Sequence, residues 1–552
     1  MKKINRREFI KYGTAGAAAL AVAGKVPGMG VREARAAVTH TFNFTISDAI
    51  KEMHTHVQRN TATCYFWVYR WDNTGLRPNV EVPGPSIYVT AGDIVIFNVT
   101  NALDEPHALA IPALGADKTT GIIPVGQQRS LSFEVPNLPG AYLYYDNLSV
   151  VNRVMGLHGA IVVMPLGTGG DSFPDPTGTM QWSRYPYNSA IMGQNVKDLF
   201  DILGVEGANK PFPGLAWHQG DSNPDSYTPP FRRYVWLEHQ ASPRLFEQVG
   251  RNANISFTMV LPNGTTTTVS GRARDPRTFV AAFTSDRFIA TSNDGRANTA
   301  KLDRFNFKPQ FFLVNGQSGH FAHNSGTIIP MLRVGEPCMI SLLNAGLMTH
   351  SHHLHANHFY LLAVGSVNNP VAAADFGQDG STDNPLWIDV YQVHPMTRQD
   401  WLVPYMRTPD VPNLRGIGLS DGVNDASLES TGGGTTAGFP GSLAHPVWPP
   451  VEEFTMHHPP LGTIRKNFLG TGNVDIAQRQ SPLCYPAHDH SEPSQTSQGG
   501  NYNTGLIGGM YVIGDRNTAG SMNFPLDEDF EMVLSIARGT FGVTGPAAGP
   551  NP

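Results

Sequence analysis

Short runs of apolar and β-branched residues, separated by glycine, proline or asparagine, recur along the chain and predict strands rather than helices. Two such regions share one plan, in which a strand, a Gly-acid turn and a second strand lead to an asparagine and then a histidine. Nine positions separate glycine from asparagine in both, and six separate asparagine from histidine. The landmarks are Gly92, Asn101 and His107 in one region and Gly335, Asn344 and His350 in the other. The matched spacing predicts two related β-domains.

The two predicted domains also end in the same way, with a strand, a loop and a further apolar strand. The first closes through residues 139–144 and 156–163, and the second through 484–485 and 505–513. With this closing unit, the chain resembles the multicopper oxidase and copper nitrite reductase superfamily over residues 40–165 and 305–515. The resemblance implies an all-β fold of tandem cupredoxin-like Greek-key β-sandwiches.

The resemblance divides the chain into five segments. Residues 1–36 are predicted to be a signal peptide and 38–166 an N-terminal cupredoxin domain with a degenerate copper site. Residues 167–304 carry no copper motif and are either a connecting region or a metal-free cupredoxin-like domain. Residues 305–516 form a C-terminal cupredoxin domain with a histidine cluster, and 517–552 form a tail.

Composition agrees with an all-β chain of several domains. The 552 residues include 57 Gly and 43 Pro, and only 15% are charged, which suits many short strands joined by turns. The formal net charge of −6 is small for this length and gives no reason to expect nucleic acid or an anionic membrane as a partner. Three cysteines can form one disulfide at most.

The N-terminus predicts export. Arg6-Arg7 precedes a weakly apolar stretch at residues 12–23, and Ala34-Arg35-Ala36 offers a small-x-small cleavage site. This pattern resembles a twin-arginine signal, with a Sec signal or an uncleaved anchor as the alternatives. The apolar stretch is too short and too rich in Ala and Gly to span a bilayer securely, and no later segment qualifies. We therefore expect a periplasmic or extracellular protein without a membrane span.

The strongest chemical signal is the run of five histidines between His350 and His358. Alternation along a strand places His353 and His355 on one face, where two imidazoles can converge on one ion. The alternative is that they are hydrogen-bonded core residues. In the resembling family the first histidine of this motif binds type 1 copper and the next two bind the trinuclear cluster. Carried over by position, His350 is the type 1 ligand, and His353 and His355 are cluster ligands.

The partner motif is His488-Asp489-His490. The family has His-Cys-His here, with two histidines on the coupled coppers and a cysteine on type 1 copper. Aspartate replaces that cysteine, and a hard carboxylate gives copper neither the covalency nor the tuned potential of a thiolate. Cys484, four residues upstream, is in the wrong register to substitute. The sequence therefore predicts that a blue-copper centre is absent.

The N-terminal domain keeps fewer ligands still. His107 matches His350, but Ala110 and Pro112 occupy the places of His353 and His355. Tyr145-Asp146-Asn147 replaces the family's closing histidine and cysteine. Only four of the imidazoles that a trinuclear site requires remain, so we expect a mononuclear or dinuclear site at His353, His355, His488 and His490. Copper is the expected cofactor and zinc its competitor, because both accept imidazole.

Two functions remain open from the sequence. The first is a copper-binding oxidoreductase that takes electrons directly from a small-molecule or metal-ion donor, with Asp489 as a hydrogen-bond partner or proton acceptor near the metal. The second is a copper-free structural or cell-envelope scaffold of the same fold. A homo-oligomer is compatible with both, and His54 and His56 could complete a site across a subunit boundary. Met510 is interpreted as a core residue.

Overall fold

The structure is a computed structural model. It describes residues 37–54, 61–72, 82–167, 172–174, 181–183, 185–203, 232–261, 263, 265–284, 307–319, 322, 328–333, 337–355, 359–376, 385–404, 483–491 and 505–514. The predicted signal peptide at 1–36 and the predicted tail at 517–552 lie outside the described residues.

Within the described residues, the first sandwich has seven strands. They are β1 (Thr39–His54), β2 (Thr61–Trp71), β3 (Ile87–Thr90), β4 (Ile94–Asn101), β5 (Gln128–Glu134), β6 (Gly140–Tyr145) and β7 (His158–Met164). One sheet has the order β2-β1-β4-β5 and the other β3-β7-β6. Strands β1 and β4 are parallel, as are β3 and β7. A 3₁₀ turn at Pro112–Leu114 and helix α1 (Val150–Val154) lie in the connections.

The middle of the chain contributes elements to both sandwiches and two separate hairpins. Its elements are β8 (Ser172–Pro174), β9 (Gln181–Ser183), α2 (Gln194–Leu203), β10 (Arg232–Ala241), α3 (Pro243–Gly250), β11 (Asn254–Val260), β12 (Thr266–Arg272) and α4 (Pro276–Thr284). Strand β10 joins the second sandwich, whereas α3 and α4 pack on the first, where Phe246 meets Phe66 with ring centroids 5.5 Å apart. The second sandwich therefore includes a strand from the segment for which a connecting region or a separate domain was expected.

The described part of the second sandwich contains eleven strands, β10 included. The others are β13 (Phe311–Val314), β14 (Met331–Arg333), β15 (Pro337–Asn344), β16 (His350–Leu354), β17 (Phe359–Ser366), β18 (Leu386–Ile388), β19 (Val390–Val393), β20 (Thr397–Pro404), β21 (Leu483–Asp489) and β22 (Ile507–Gly514). A six-stranded sheet has the order β13-β10-β15-β20-β17-β18, and a five-stranded sheet β14-β22-β21-β16-β19. A 3₁₀ turn spans Ala373–Asp375.

The two sandwiches are built on one plan, as the repeated landmarks predicted. Parallel pairing of β10 with β15 repeats that of β1 with β4, and β14 with β22 repeats β3 with β7. The landmark asparagines also act alike. Asn101 Nδ2 donates to two carbonyls, 2.8 and 3.0 Å away, and Asn344 Nδ2 does so at 2.7 and 3.2 Å. The all-β prediction of tandem cupredoxin-like sandwiches is confirmed.

The four principal sheets stack in layers. Residues of β10 alternate between two cores, with Trp236 in the core of the second sandwich. Val235 and Leu237 face the other way and pack against Ala160 and Val162 of β7, which closes the seam between the sandwiches. In the part of the chain that the structure describes, every helix is too short or too polar to cross a membrane.

Candidate metal centre

Two neighbouring strands bring four imidazoles together at one edge of the second sandwich. Strands β16 and β21 are antiparallel, and His353 is paired directly with His488. Residues directly opposite each other on antiparallel strands project from the same face. His355 follows His353 by two positions, and the amide of His490 donates to Ser351 O at 2.8 Å, which holds the chain beyond β21 beside β16.

The four rings are in mutual contact, and we call them the four-imidazole cluster. The centroids of His353 and His490 are 4.4 Å apart, and those of His355 and His488 are 4.7 Å apart. The remaining contacts among His353, His355, His488 and His490 range from 5.0 to 5.6 Å. The sequence expectation that these two histidine pairs converge therefore agrees with their placement.

Backbone carbonyls orient two of the rings. His353 Nδ1 lies 2.9 Å from Asp389 O, and His488 Nδ1 lies 3.1 Å from Asp489 O. A ring that donates from Nδ1 carries its lone pair on Nε2, which is the arrangement usual for metal-binding histidines. Asp389 also has a carboxylate oxygen 3.6 Å from His353 Nδ1. No sequence motif includes Asp389, because only the pairing of β19 with β16 brings it there.

The environment favours neutral rings. Burial lowers the pKa of His353, His355 and His488 below the ordinary value, and the neighbouring imidazoles lower it further. In His353 and His488 the hydrogen bond to a carbonyl acts in the opposite direction, without reversing the shift. Neutral imidazole is the form that binds metal ions.

The cluster supplies suitable donors without forming a closed coordination sphere. His355 Nε2 and His488 Nε2 lie 2.6 Å apart, a hydrogen-bonding distance. Two ligands bound at right angles to one ion, with bonds of about 2.0 Å, would lie about 2.8 Å apart. Among the described residues, no group of three or more His, Cys, Asp or Glu has the arrangement of a formed metal site. The neutral nitrogen donors fit copper or zinc after small ring movements.

His350 and Asp489 lie on the opposite face of these strands, inside the sandwich. His350 Nδ1 is 2.6 Å from Asp489 Oδ2, and Gln240 Nε2 lies 2.6 Å from His350 Nε2. The amides of Ser351 and Ser491 donate to Asp489 Oδ1. Both ring nitrogens of His350 are thus engaged away from the cluster, and the Asp489 carboxylate faces His350 instead of the four imidazoles. Strand alternation separates them from the cluster, in contrast to the expected roles as metal ligand and proton acceptor.

The first sandwich contains the same arrangement. His107 Nδ1 lies 2.8 Å from Asp146 Oδ2, and the amides of Ala108 and Leu148 donate to the two oxygens of Asp146. All four side chains of the two His–Asp pairs are buried. We call each set an Asp–His clasp. In each clasp, an aspartate in the family's cysteine position accepts hydrogen bonds from three groups. They are the histidine ring, the backbone amide of the residue after that histidine, and the backbone amide of the residue two positions beyond the aspartate. The aligned positions are visible in the sequence, but the hydrogen bonds of the clasp form only when the strands are brought together.

A second buried acid–imidazole pair lies behind the cluster. His352 Nδ1 is 2.8 Å from Glu238 Oε1, and neither side chain is exposed. The His352 ring stacks on Trp236 at 4.9 Å and meets Trp401 edge-on at 5.8 Å. No motif predicted this pair, because Glu238 lies on β10, more than a hundred residues away.

Other residues singled out by sequence have simpler placements. Met510 is buried in the core of the second sandwich, as its interpretation as a core residue proposed. His54 ends β1, but its side chain and His56 lie outside the described residues, as does the side chain of Cys484. Ala110 is buried in the first sandwich, and Pro112 begins a 3₁₀ turn.

Family models match both sandwiches. A multicopper oxidase model matches residues 69–167, and a second multicopper oxidase model matches residues 293–411. These two matches support assignment of the chain to the multicopper oxidase superfamily. Its members are copper oxidoreductases, and the family indicates copper as the cofactor. The residues of the four-imidazole cluster are compatible with that assignment.

Solved structures with related architecture include a blue copper oxidase from Nitrosomonas europaea, at 13% identity and TM-score 0.40, covering 90% of this chain and 94% of that chain. The multicopper oxidase mgLAC has 13% identity and TM-score 0.41, with 90% of each chain covered. A copper nitrite reductase from Nitrosomonas europaea has 12% identity and TM-score 0.38, covering 89% of this chain and all of that chain. No curated protein sequence matches the chain.

Proposed function

We propose that this multicopper-oxidase-like protein is an exported copper oxidoreductase whose copper is held by the four-imidazole cluster. The proposal rests chiefly on the convergence of four rings from β16 and β21. Copper bound there would supply one-electron redox chemistry. Since the cysteine position is occupied by a buried aspartate, electrons would come directly from a small-molecule or metal-ion donor.

The protein's own residues prepare the site in three ways. Carbonyl oxygens of Asp389 and Asp489 fix the orientation of two rings, so that Nε2 points away from the backbone. Partial burial lowers the pKa of His353, His355 and His488, which favours their neutral forms. His355 is exposed, which leaves one side of the cluster accessible to a donor.

Asp489 has a structural role in this proposal. Its two carboxylate oxygens accept from the His350 ring and two backbone amides. These bonds hold β16 against β21 and thereby set the spacing between the histidine pairs. Export is supported by Arg6-Arg7 and the cleavage site at Ala34-Arg35-Ala36.

Copper analysis of three proteins tests the assignment. Full-length wild type, the double variant His488→Ala/His490→Ala and the control His394→Ala are purified from copper-supplemented cells. His394 is an exposed histidine near β19 that makes no contact with the cluster rings in the described structure. We expect the double variant to lose one copper equivalent per chain and the control to lose none. Equal copper in all three folded proteins would refute a site at the cluster.

A scaffold without copper is the second candidate, and the Asp–His clasps favour it specifically. In both sandwiches, the histidine and aspartate at the type 1 copper position are hydrogen-bonded to each other and to backbone amides. The scaffold function predicts that wild type binds no copper and that the double variant keeps both its fold and its biological role.

A further inference from the structure

A pair of buried histidines lies in the seam between the two sandwiches, outside the four-imidazole cluster. His158 begins β7 and His239 belongs to β10, and their rings meet edge-to-face with centroids 4.8 Å apart. Both side chains are fully buried. Strand alternation explains the contact, since His239 continues the face of Val235 and Leu237 that packs on the first sandwich.

Three of the four ring nitrogens in this pair have no hydrogen-bond partner among the described residues. They are His158 Nε2, His239 Nδ1 and His239 Nε2. The fourth, His158 Nδ1, lies 2.7 Å from Arg153 O, to which it donates. Protonation of either ring would turn a bare nitrogen into a buried N–H group that also lacks an acceptor, and such groups are costly.

Positive charge acts on both rings. The Arg153 guanidinium, on α1, acts on His158, and the Lys51 ammonium, on β1, acts on His239. An imidazolium ion formed in the closed seam would be repelled by these two cations and by a second imidazolium ion beside it. The closed seam therefore favours two neutral rings.

The acidic side chains on the adjoining strands face other partners. Glu238 precedes the histidine of β10, but alternation turns its carboxylate to His352, inside the second sandwich. Asp146 follows β6, the neighbour of β7, and its carboxylate is engaged in the Asp–His clasp. Burial raises the pKa of the Tyr145 hydroxyl on β6, so this group stays neutral in acid. Neither carboxylate is placed to balance a proton on the pair.

The histidines take up protons more readily when the seam is open. Burial lowers the pKa of His158 to about 4; the hydrogen bond to Arg153 O opposes this shift, and the charge on Arg153 adds to it. Burial, His158 and Lys51 hold the pKa of His239 well below its ordinary value. A solvated ring titrates near about pH 6.5. Protons thus bind preferentially to the open form, and the closed form loses stability as the pH falls below that value.

We propose that the His158–His239 pair is an acid-sensitive switch that opens the seam between the sandwiches, with one proton taken up by each ring. Water solvates both imidazolium ions once the seam is open. Opening also withdraws Arg153 from the carbonyl oxygens of Ala345 and Gly346, in the turn that leads into β16. The switch therefore connects acid to the strand that carries the candidate metal ligands.

The number of protons sets the steepness of the response. Each proton taken up on opening raises the opening equilibrium constant about tenfold per pH unit, so two protons raise it about a hundredfold. Between about pH 6 and about pH 5 the open rings are charged and the closed rings neutral, while ordinary carboxylates, which titrate near about pH 4, contribute little. Return to neutral pH should close the seam.

A thiol placed in the seam measures its opening. Val162→Cys introduces one among the buried apolar residues between the sandwiches, and dithiodipyridine labels thiols in acid. The labelling rate at this site, divided by that of the unfolded chain at the same pH, reports the opening constant. This parent protein is compared with versions that also carry His239→Gln, His239→Phe or the control His394→Gln, with mass spectrometry identifying the labelled residue and circular dichroism the fold. His394 is exposed and lies outside the seam.

We expect the rate ratio to rise about a hundredfold per pH unit in the parent and the control, and about tenfold in both His239 variants. The phenylalanine keeps a ring against His158, so equal slopes for the two variants separate loss of a proton from loss of packing. A parent slope of about tenfold or less would overturn the switch without any histidine variant. Folded His239 variants with the parent's slope, or a control with a reduced slope, would overturn it as well.

Discussion

Aspartate stands in both sandwiches where the resembling family carries a copper-binding cysteine. Asp146 and Asp489 each accept from an imidazole and two backbone amides within a buried clasp. The bonds join the strand that bears the histidine to the loop that follows the closing strand. A carboxylate thus holds together the segments that a thiolate-bound metal joins in the family.

Replacing Asp146 with asparagine should destabilise the protein by about 3 kcal/mol, because an amide supplies one acceptor oxygen to the four groups that donate to Asp146. They are the His107 ring, the backbone amides of Ala108 and Leu148, and the Asn152 side chain. Denaturant unfolding followed by tryptophan fluorescence measures the change. Asp117→Asn is the matched control, since Asp117 is 77% exposed and its pairing with Lys118 contributes little. Equal unfolding free energies for the two variants would contradict the clasp.

Copper-loaded protein should lack the intense blue absorption of a copper–thiolate bond. The type 1 position of each sandwich holds aspartate, and the buried thiols of Cys64 and Cys338 each donate to the backbone carbonyl of the next residue. Burial also raises the pKa of Cys64 above its ordinary value, which opposes formation of the thiolate. Visible absorption of the loaded protein is the measurement, and a strong blue band would contradict the loss of the type 1 site.

At the scale of the element, the side chains of β16 alternate between the core and the outer face, so that one strand serves both packing and the candidate metal centre. His350, His352 and Leu354 face the core, while His353 and Ser351 face outward. Sequence periodicity was enough to place His353 and His355 on one face. It could not show that Glu238 and Gln240 approach the inward histidines, because β10 is brought beside β15 only by long-range parallel pairing.

Single substitutions on the two faces of β16 should therefore have opposite effects. Leu354→Ala removes a buried side chain and should lower the unfolding free energy by about 3 kcal/mol while copper content is retained. His353→Ala should lose copper from the cluster with a much smaller change in stability. Copper analysis and denaturant unfolding of both variants test this separation. Loss of copper in both, or in neither, would contradict it.

At the scale of the molecule, side chains cross the seam between the sandwiches. Arg153 of α1 donates to the carbonyl oxygens of Ala345 and Gly346, in the turn that leads into β16. Tyr145 donates to Asn368 Oδ1 at 2.7 Å. The first sandwich, which has no histidine cluster in its described part, thus helps to position the strand that carries the candidate metal ligands.

Arg153→Met should uncouple the sandwiches. Two buried carbonyls would lose their charged donor, which we expect to cost about 3 kcal/mol. Calorimetry should show an earlier or divided transition. Arg251→Met is the control, because that arginine is 69% exposed and pairs with Glu247 at the end of its own helix. A transition unchanged from wild type would show that the seam does not depend on Arg153.

The repeat plan, the all-β class and the outward histidines could all be predicted from local spacing and alternation. The boundary of the second sandwich could not be predicted in this way. Residues 232–241 look like any apolar strand in sequence, and only pairing with β13 and β15 shows where they belong. The Asp–His clasps needed a comparison of the two halves in space, since the sequence showed only that the cysteines had been replaced.

The path of the chain through β10 also limits how this protein can be divided. A cut between residues 304 and 305 would leave the later fragment without an inner strand of its six-stranded sheet, and the earlier fragment with that strand exposed. Open strand edges and bare apolar faces promote aggregation. We therefore expect neither fragment to be soluble alone, and co-expression of both to restore a folded complex.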